Sequence, residues 1–218
     1  DYDKQIIKDL FKLINEQKQE IKNLKSELED FKKEISFLTK DYITNLDSLI
    51  IKSNKDNLTL KNWINPDLNI RADLLYRLSQ DGPEVSTFHE LCDNKGATLT
   101  IFHLEIGYIV GFFVNYSFDS TSQWKDDDDS FLFNLNQNKK YKKRTDIHKS
   151  AFNSKAKCGP SANCLGCNTG ETLNYIYHSV KNIDKVFENG SKILPSGSQQ
   201  DEVEYKVKET EIFQITIG

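Results

Sequence analysis

Ser86-Thr87-Phe88-His89-Glu90-Leu91-Cys92-Asp93-Asn94-Lys95-Gly96-Ala97-Thr98-Leu99-Thr100-Ile101-Phe102-His103-Leu104 is the stretch on which the fold turns. Thr87 and Glu90 stand at capping-box spacing, where a hydroxyl satisfies an amide of the first helical turn and an acid three residues on reaches back. Asn94 and Gly96 supply the stop, because both tolerate the left-handed backbone that ends a helix. The spacing predicts a short helix over 88–93. Residues 98–104 are mostly β-branched or aromatic and predict a strand. Outward from there, 108–116 is a second β-rich run across a turn at 105–107. Residues 131–135 form a third run, rich in Phe, and 205–217 alternates well enough to close a sheet. Phe131 and Phe133 fall on one face of their strand. The fold class predicted is α+β, mainly antiparallel.

Upstream the period changes. Ile7, Leu10, Ile14, Gln17, Ile21, Leu24, Leu28, Phe31, Ile35 and Leu38 follow one another at alternating steps of three and four. This seven-residue repeat asks for a left-handed supercoil. With Ile7, Ile14, Ile21, Leu28 and Ile35 at the first core position, Leu occupies most of the second, the choice that favours two parallel strands. The flanks agree: Glu20 would face Lys25 of a second copy, and Glu27 would face Lys32. Gln17 is the polar residue in the seam, a device that sets register at some cost in stability. The competing reading is one long helix packed along another protein; the Glu/Lys match favours self-pairing. Thr39, Asp41, Thr44 and Asn45 accumulate where the heptads end. The predicted division is a coiled coil over 1–42 and a globular domain over 43–218.

In its 218 residues the chain has 37% hydrophobic and 28% charged residues, with a mean hydropathy of −0.61, polar for a domain but ordinary once a solvated helix is averaged in. A net charge of −4 gives no electrostatic footprint for nucleic acid. The basic run at 139–144 reads as a strand edge guarded by lysines. No apolar run reaches the roughly 18 residues of a membrane span, so no membrane insertion is expected and the location expected is intracellular and cytoplasmic, at most beside an organelle membrane complex or a cilium. With no methionine anywhere, the first residue is not a natural start, and the chain reads as an internal fragment or the ordered part of a longer one.

Several motifs then fall in a fixed order. They are Trp63-Ile64, Leu74-Leu75-Tyr76-Arg77, Asp81-Gly82, Phe88-His89, Cys92-Asp93-Asn94-Lys95-Gly96, Trp124, the acids at 126–129, Ser130-Phe131-Leu132-Phe133 and Val207-Lys208-Glu209-Thr210-Glu211-Ile212-Phe213-Gln214. Together they resemble the TLDc family over roughly 46–218, with Phe88, His89, Cys92, Asp93, Asn94 and Gly96 as its signature. The resemblance implies a two-sheet antiparallel β-sandwich with short helices, and association with oxidation resistance and with the vacuolar-type proton ATPase. It implies action by binding, without a catalytic residue set. A coiled coil ahead of such a domain is similar to arrangements in single-celled eukaryotes. The chain departs from the family in two places. Gly111-Phe112-Phe113 stands where many relatives carry a Gly-Gly-Tyr turn, and Gly159-Pro160-Ser161-Ala162-Asn163-Cys164-Leu165-Gly166 where they carry Gly-Pro-x-Phe-Gly-x-Asp.

The chemistry-bearing residues read as structural. His89 and Cys92, three apart on a helix, are the minimal form of an activated thiol, but neither an oxyanion site nor an orienting group accompanies them. Cys158, Cys164 and Cys167, with His148 or His178, would supply four zinc ligands, but one Cys-x2-Cys pair is weak without a second, and the reading preferred is a solvent-exposed loop with free thiols. The acids at 126–129 lack the alternating spacing, glycine and distal glutamate of a calcium loop. The expectation is therefore no enzyme, no metal and no cofactor. The chain reads as a regulatory protein that binds itself and a protein partner, the candidates being the proton ATPase or, in the alternative, a cytoskeletal or ciliary assembly of which it would be a structural part.

Overall fold

A computed structural model describes residues 2–39, 42–144, 152–162, 165–167, 172–195 and 202–218, with side chains for all of these except 2–3, 32–39, 122–124 and 152–155. The chain divides into two units, 1–41 and 42–218. The first is α1 (Tyr2–Thr39), 38 residues without Gly or Pro and about 57 Å long at the helical rise of about 1.5 Å per residue. Every side chain described in it is exposed. A helix in that condition gains almost nothing from burial, and burial is what stabilises most helices in proteins.

The second unit begins with β1 (Ile43–Thr44), α2 (Asn54–Ile64), β2 (Ile70–Arg77), α3 (Leu78–Asp81) and α4 (Val85–Cys92). Next come β3 (Thr98–Leu104), β4 (Ile109–Val114), β5 (Thr121–Lys125), β6 (Phe131–Asn134) and β7 (Lys139–Lys142). The chain closes through β8 (Phe152–Lys155), β9 (Ser161–Ala162), β10 (Leu165–Gly166), β11 (Tyr175–Ser179), α5 (Val180–Ile183), a 3-10 turn at Gly190–Lys192 and β12 (Glu202–Ile217). The architecture is the α+β arrangement expected, a long helix followed by a large, mainly antiparallel sheet with short helices.

β12 organises the domain. Its first residues pair with β11, and from Val207 onward it pairs antiparallel with β3 and, on the opposite edge, with β2. The ladder runs β7-β6-β4-β3-β12-β11-β10-β9, with β2 added on β12 and β1 parallel to β2. β5 and β8 form a separate pair. Alternation along the central strands splits the apolar residues into two clusters. Phe102, Val110, Phe112 and Leu132 join Leu165, Ile176 and Tyr205 of the β12–β11–β10 arm, so the arm packs as a second layer. The opposite face carries Leu99, Ile101, Phe113, Phe131, Phe133 and Phe213 against Leu60 and Trp63 of α2. A sheet covered on both faces explains why Phe131, Leu132 and Phe133 are consecutively apolar.

α4 starts earlier than its sequence signal. Thr87 lies inside the first turn, Glu84 occupies the cap without a side-chain bond, and the capping box does not form. Val85, Phe88 and Cys92, at helical spacing, all enter the core from this earlier start. The entry is held by tertiary pairing, with Leu173 N donating to the Pro83 carbonyl at 2.7 Å and Glu84 bridging Thr172. The stop is as predicted: Asn94 has φ 60° and Gly96 φ 80°. Gly111 lies inside β4 between Ile101 and Phe133, not in a turn, and a Cβ there would strike the Thr100 carbonyl and the Phe133 ring.

Candidate functional site

On α1 the predicted seam is a continuous exposed apolar stripe. Ile7, Leu10, Ile14, Ile21, Leu24, Leu28 and Phe31 are each 45–61% exposed. Gln17, Glu20, Lys25 and Glu27 are exposed beside them, while the side chains of Lys32, Ile35 and Leu38 lie outside the described residues. The polar side is tied along the helix by Gln5 to Asp9 at 3.1 Å, Gln19 to Asn23 at 3.2 Å and the Lys12–Glu16 ion pair at 3.9 Å.

The α4 signature does different work. Phe88 is fully buried, edge-on to Phe118 at 5.2 Å and to Tyr76 at 6.5 Å between centroids. His89 Nδ1 lies 3.0 Å from Asp93 Oδ1 and 3.0 Å from Ser120 Oγ, and its Nε2 lies 2.9 Å from the Cys158 carbonyl. Ser120 donates to the other Asp93 oxygen at 2.5 Å. Asn94 N donates to the Phe118 carbonyl at 2.7 Å and Gly96 N to Ser117 Oγ at 2.8 Å. These bonds fasten 117–120 and the Cys158 backbone to the end of α4. Cys92 is fully buried, and that burial, with Asp93 and Asp81 nearby, drives its thiol far above the ordinary range. A thiol held protonated and out of solvent, next to a histidine whose ring nitrogens face Asp93, Ser120 and Cys158, has neither the ionisation nor the access of a nucleophile.

A third constellation escaped the sequence reading. Glu211 on β12 is fully buried; its Oε1 accepts from Arg77 Nε at 2.8 Å and from Leu49 N at 2.7 Å, and its Oε2 from Ser48 Oγ at 2.5 Å. Arg77 Nη2 donates onward to the Asp47 carbonyl at 2.6 Å, and Ser48 Oγ receives Ile50 N and Ile51 N. One carboxylate thereby clamps the strap at 47–51 onto the sheet. The model of the TLDc domain matches residues 45–216, a span that opens just before this strap and runs to the end of β12. The chain belongs to the TLDc family. No curated protein matches it.

Elsewhere in the TLDc domain, the acids at 126–129 are spoken for by a lysine. Lys143 Nζ, its side chain 1% exposed, lies 2.8 Å from Asp126 and 2.6 Å from Asp128. Burial pulls Lys143 down, but hydrogen bonds and charge from those two acids outweigh it and keep its pKa above the usual value. Asp127 accepts from Asn115 N at 2.6 Å, and burial raises its pKa. The run is a turn before β6 braced by Lys143 on Asp126 and Asp128 and by Asn115 on Asp127, and the basic run that follows is β7 at the sheet edge. Cys158 and Cys167 are buried, Cys167 within the second layer of the core, and not in the solvent-exposed loop expected, whereas Cys164 and His148 lie outside the described residues. Among the described residues no group of three or more His, Cys, Asp or Glu is placed to hold a metal. His178 is fully buried, and among the described residues neither of its ring nitrogens meets hydrogen-bond geometry, although the Gly190 backbone is near enough to favour its charged form.

Proposed function

We propose that this TLDc protein is a non-enzymatic regulatory binding protein. α1 pairs two copies in parallel, and the TLDc domain engages a large protein assembly, for which the family points to a vacuolar-type proton ATPase and to resistance against oxidation. The observation that carries the reading is the apolar stripe of α1. Its seven described core residues are about half exposed on a solvated helix, a state that a second copy relieves while matching Glu20 to Lys25 and Glu27 to Lys32. The engaged His89 and the buried Cys92 support binding over catalysis. No helix among the described residues is long and apolar enough to cross a membrane, and an intracellular placement is part of the proposal.

The test is mass spectrometry of the native complex purified under mild conditions. Proton-ATPase subunits at near-stoichiometric abundance are expected. Tubulin or axonemal proteins without ATPase subunits would contradict the regulatory role and make the chain a structural part of a cytoskeletal or ciliary assembly.

A further inference from the structure

The stripe on α1 is not uniform. Between residues 16 and 31 the positions flanking the seam are charged: Lys18, Glu20, Lys25 and Glu27. Over residues 6–14 the same positions hold Ile6, Phe11 and Leu13, which are 42%, 63% and 51% exposed. At 3.6 residues per turn the apolar arc is about 160° wide over 6–14 and narrows to about 80° over 21–31. The narrow arc is that of a two-stranded seam; the wide one exceeds what a single partner helix covers and matches a helix that packs inside a bundle. The opposite side of the same turns is polar, with Gln5 bonded to Asp9 and Lys12 beside Glu16, so the arc has one clear direction.

We infer that residues 6–14 form a second association surface and that its occupant is another pair of this same chain, giving a dimer of dimers joined through residues 6–14. The inference rests on the parallel pairing proposed above. In that register each flank residue just before a first-position core residue faces the one five positions on in the second copy, so Glu20 meets Lys25, Glu27 meets Lys32, Ile6 meets Phe11 and Leu13 meets Lys18. The charge matching that brings the copies into register therefore sets two wide apolar arcs at one level. Each pair covers its own Ile7, Leu10 and Ile14 and leaves Ile6, Phe11 and Leu13 at the rim, where the Ile6–Phe11 contacts carry no charge and Lys18, beside Leu13 of the second copy, marks the boundary of the apolar surface. Beyond Gln17 the Glu/Lys flanks restore the two-stranded limit, so the four-chain contact does not extend past that point.

Sedimentation equilibrium of the full chain tests this, alongside the triple variant Ile6→Glu/Phe11→Lys/Leu13→Glu. The variant extends the Glu/Lys flank pattern back to residue 6 and keeps the seam and its register. The wild-type chain is expected at four times the chain mass and the variant at twice. A wild-type chain at twice the chain mass would overturn the inference and leave the pairing intact, and flotation of that dimer with anionic vesicles would assign residues 6–14 to a membrane surface instead. A wild-type monomer would overturn the pairing and the inference together. A variant that stays at four times the chain mass would place the four-chain contact elsewhere and overturn the inference alone.

Discussion

Replacing Glu211 by Ala tests the clamp that holds the strap to the TLDc sheet. The wild-type carboxylate is fully buried and serves three donors, Arg77 Nε, Leu49 N and Ser48 Oγ. Removing it leaves the Arg77 side chain, 9% exposed, as a buried cation whose remaining contacts are the Asp47 carbonyl and the Asp47 carboxylate 3.7 Å away and 78% exposed. Breaking a buried ion pair in this way costs about 3–5 kcal/mol. For a domain of this size a urea dependence of about 2 kcal/mol per M turns that cost into a midpoint lower by about 2 M. The assay is urea unfolding followed by fluorescence, with Trp63, 6.1 Å from Phe133 between centroids, reporting on the sheet face under α2. Replacing both partners, Arg77→Met with Glu211→Leu, should recover most of the loss, because the penalty belongs to the orphaned charge. A Glu211→Ala midpoint within about 0.5 M of wild type, equal to about 1 kcal/mol, would refute the reasoning.

His178 gives the pH dependence. Burial holds its pKa below the usual imidazole value, against the smaller pulls of the Gly190 backbone and Asp184. The unfolded chain therefore binds the proton more readily than the folded one. Stability is fully present above about pH 6.5 and falls between there and the lower folded pKa, at up to about 1.4 kcal/mol per pH unit. His178→Leu should flatten this acid limb of a plot of unfolding midpoint against pH, and an unchanged limb would show that His178 is not its source. Thr100 is fully buried with no partner for its hydroxyl among the described residues, so Thr100→Val should raise stability by about 1 kcal/mol in the same urea assay, and a lowered midpoint would count against it.

The elements that could be read beforehand are those whose pattern repeats. The heptads of α1, the run Thr98–Leu104 and the Phe-rich strand β6 each carry several residues of one period, and each appears at or close to its predicted place. α2 was legible but missed: Ser53 and Asp56 have the spacing of a capping pair, and Ser53 Oγ does accept from Asp56 N at 3.0 Å. The β9–β10 hairpin, two residues a side, is too short to show a period. The Glu211 clamp joins residues more than 160 positions apart, and a lone Glu in an alternating strand reads as a solvent-facing residue until the strap covers it. The same holds for Lys143, whose place in a basic run hides its burial against Asp126 and Asp128.

Parallel pairing through α1 carries the functional account, and a single engineered cysteine tests it. Leu28 sits away from the midpoint of the heptads, so two copies of Leu28→Cys meet only in a parallel, in-register coil; an antiparallel one would set each near Gln17. Mild oxidation of the full-length Leu28→Cys chain, read on a non-reducing gel, is predicted to give a covalent dimer in high yield. A chain that stays monomeric on that gel, while a Gln17→Cys/Leu28→Cys double variant cross-links, would contradict the parallel coil.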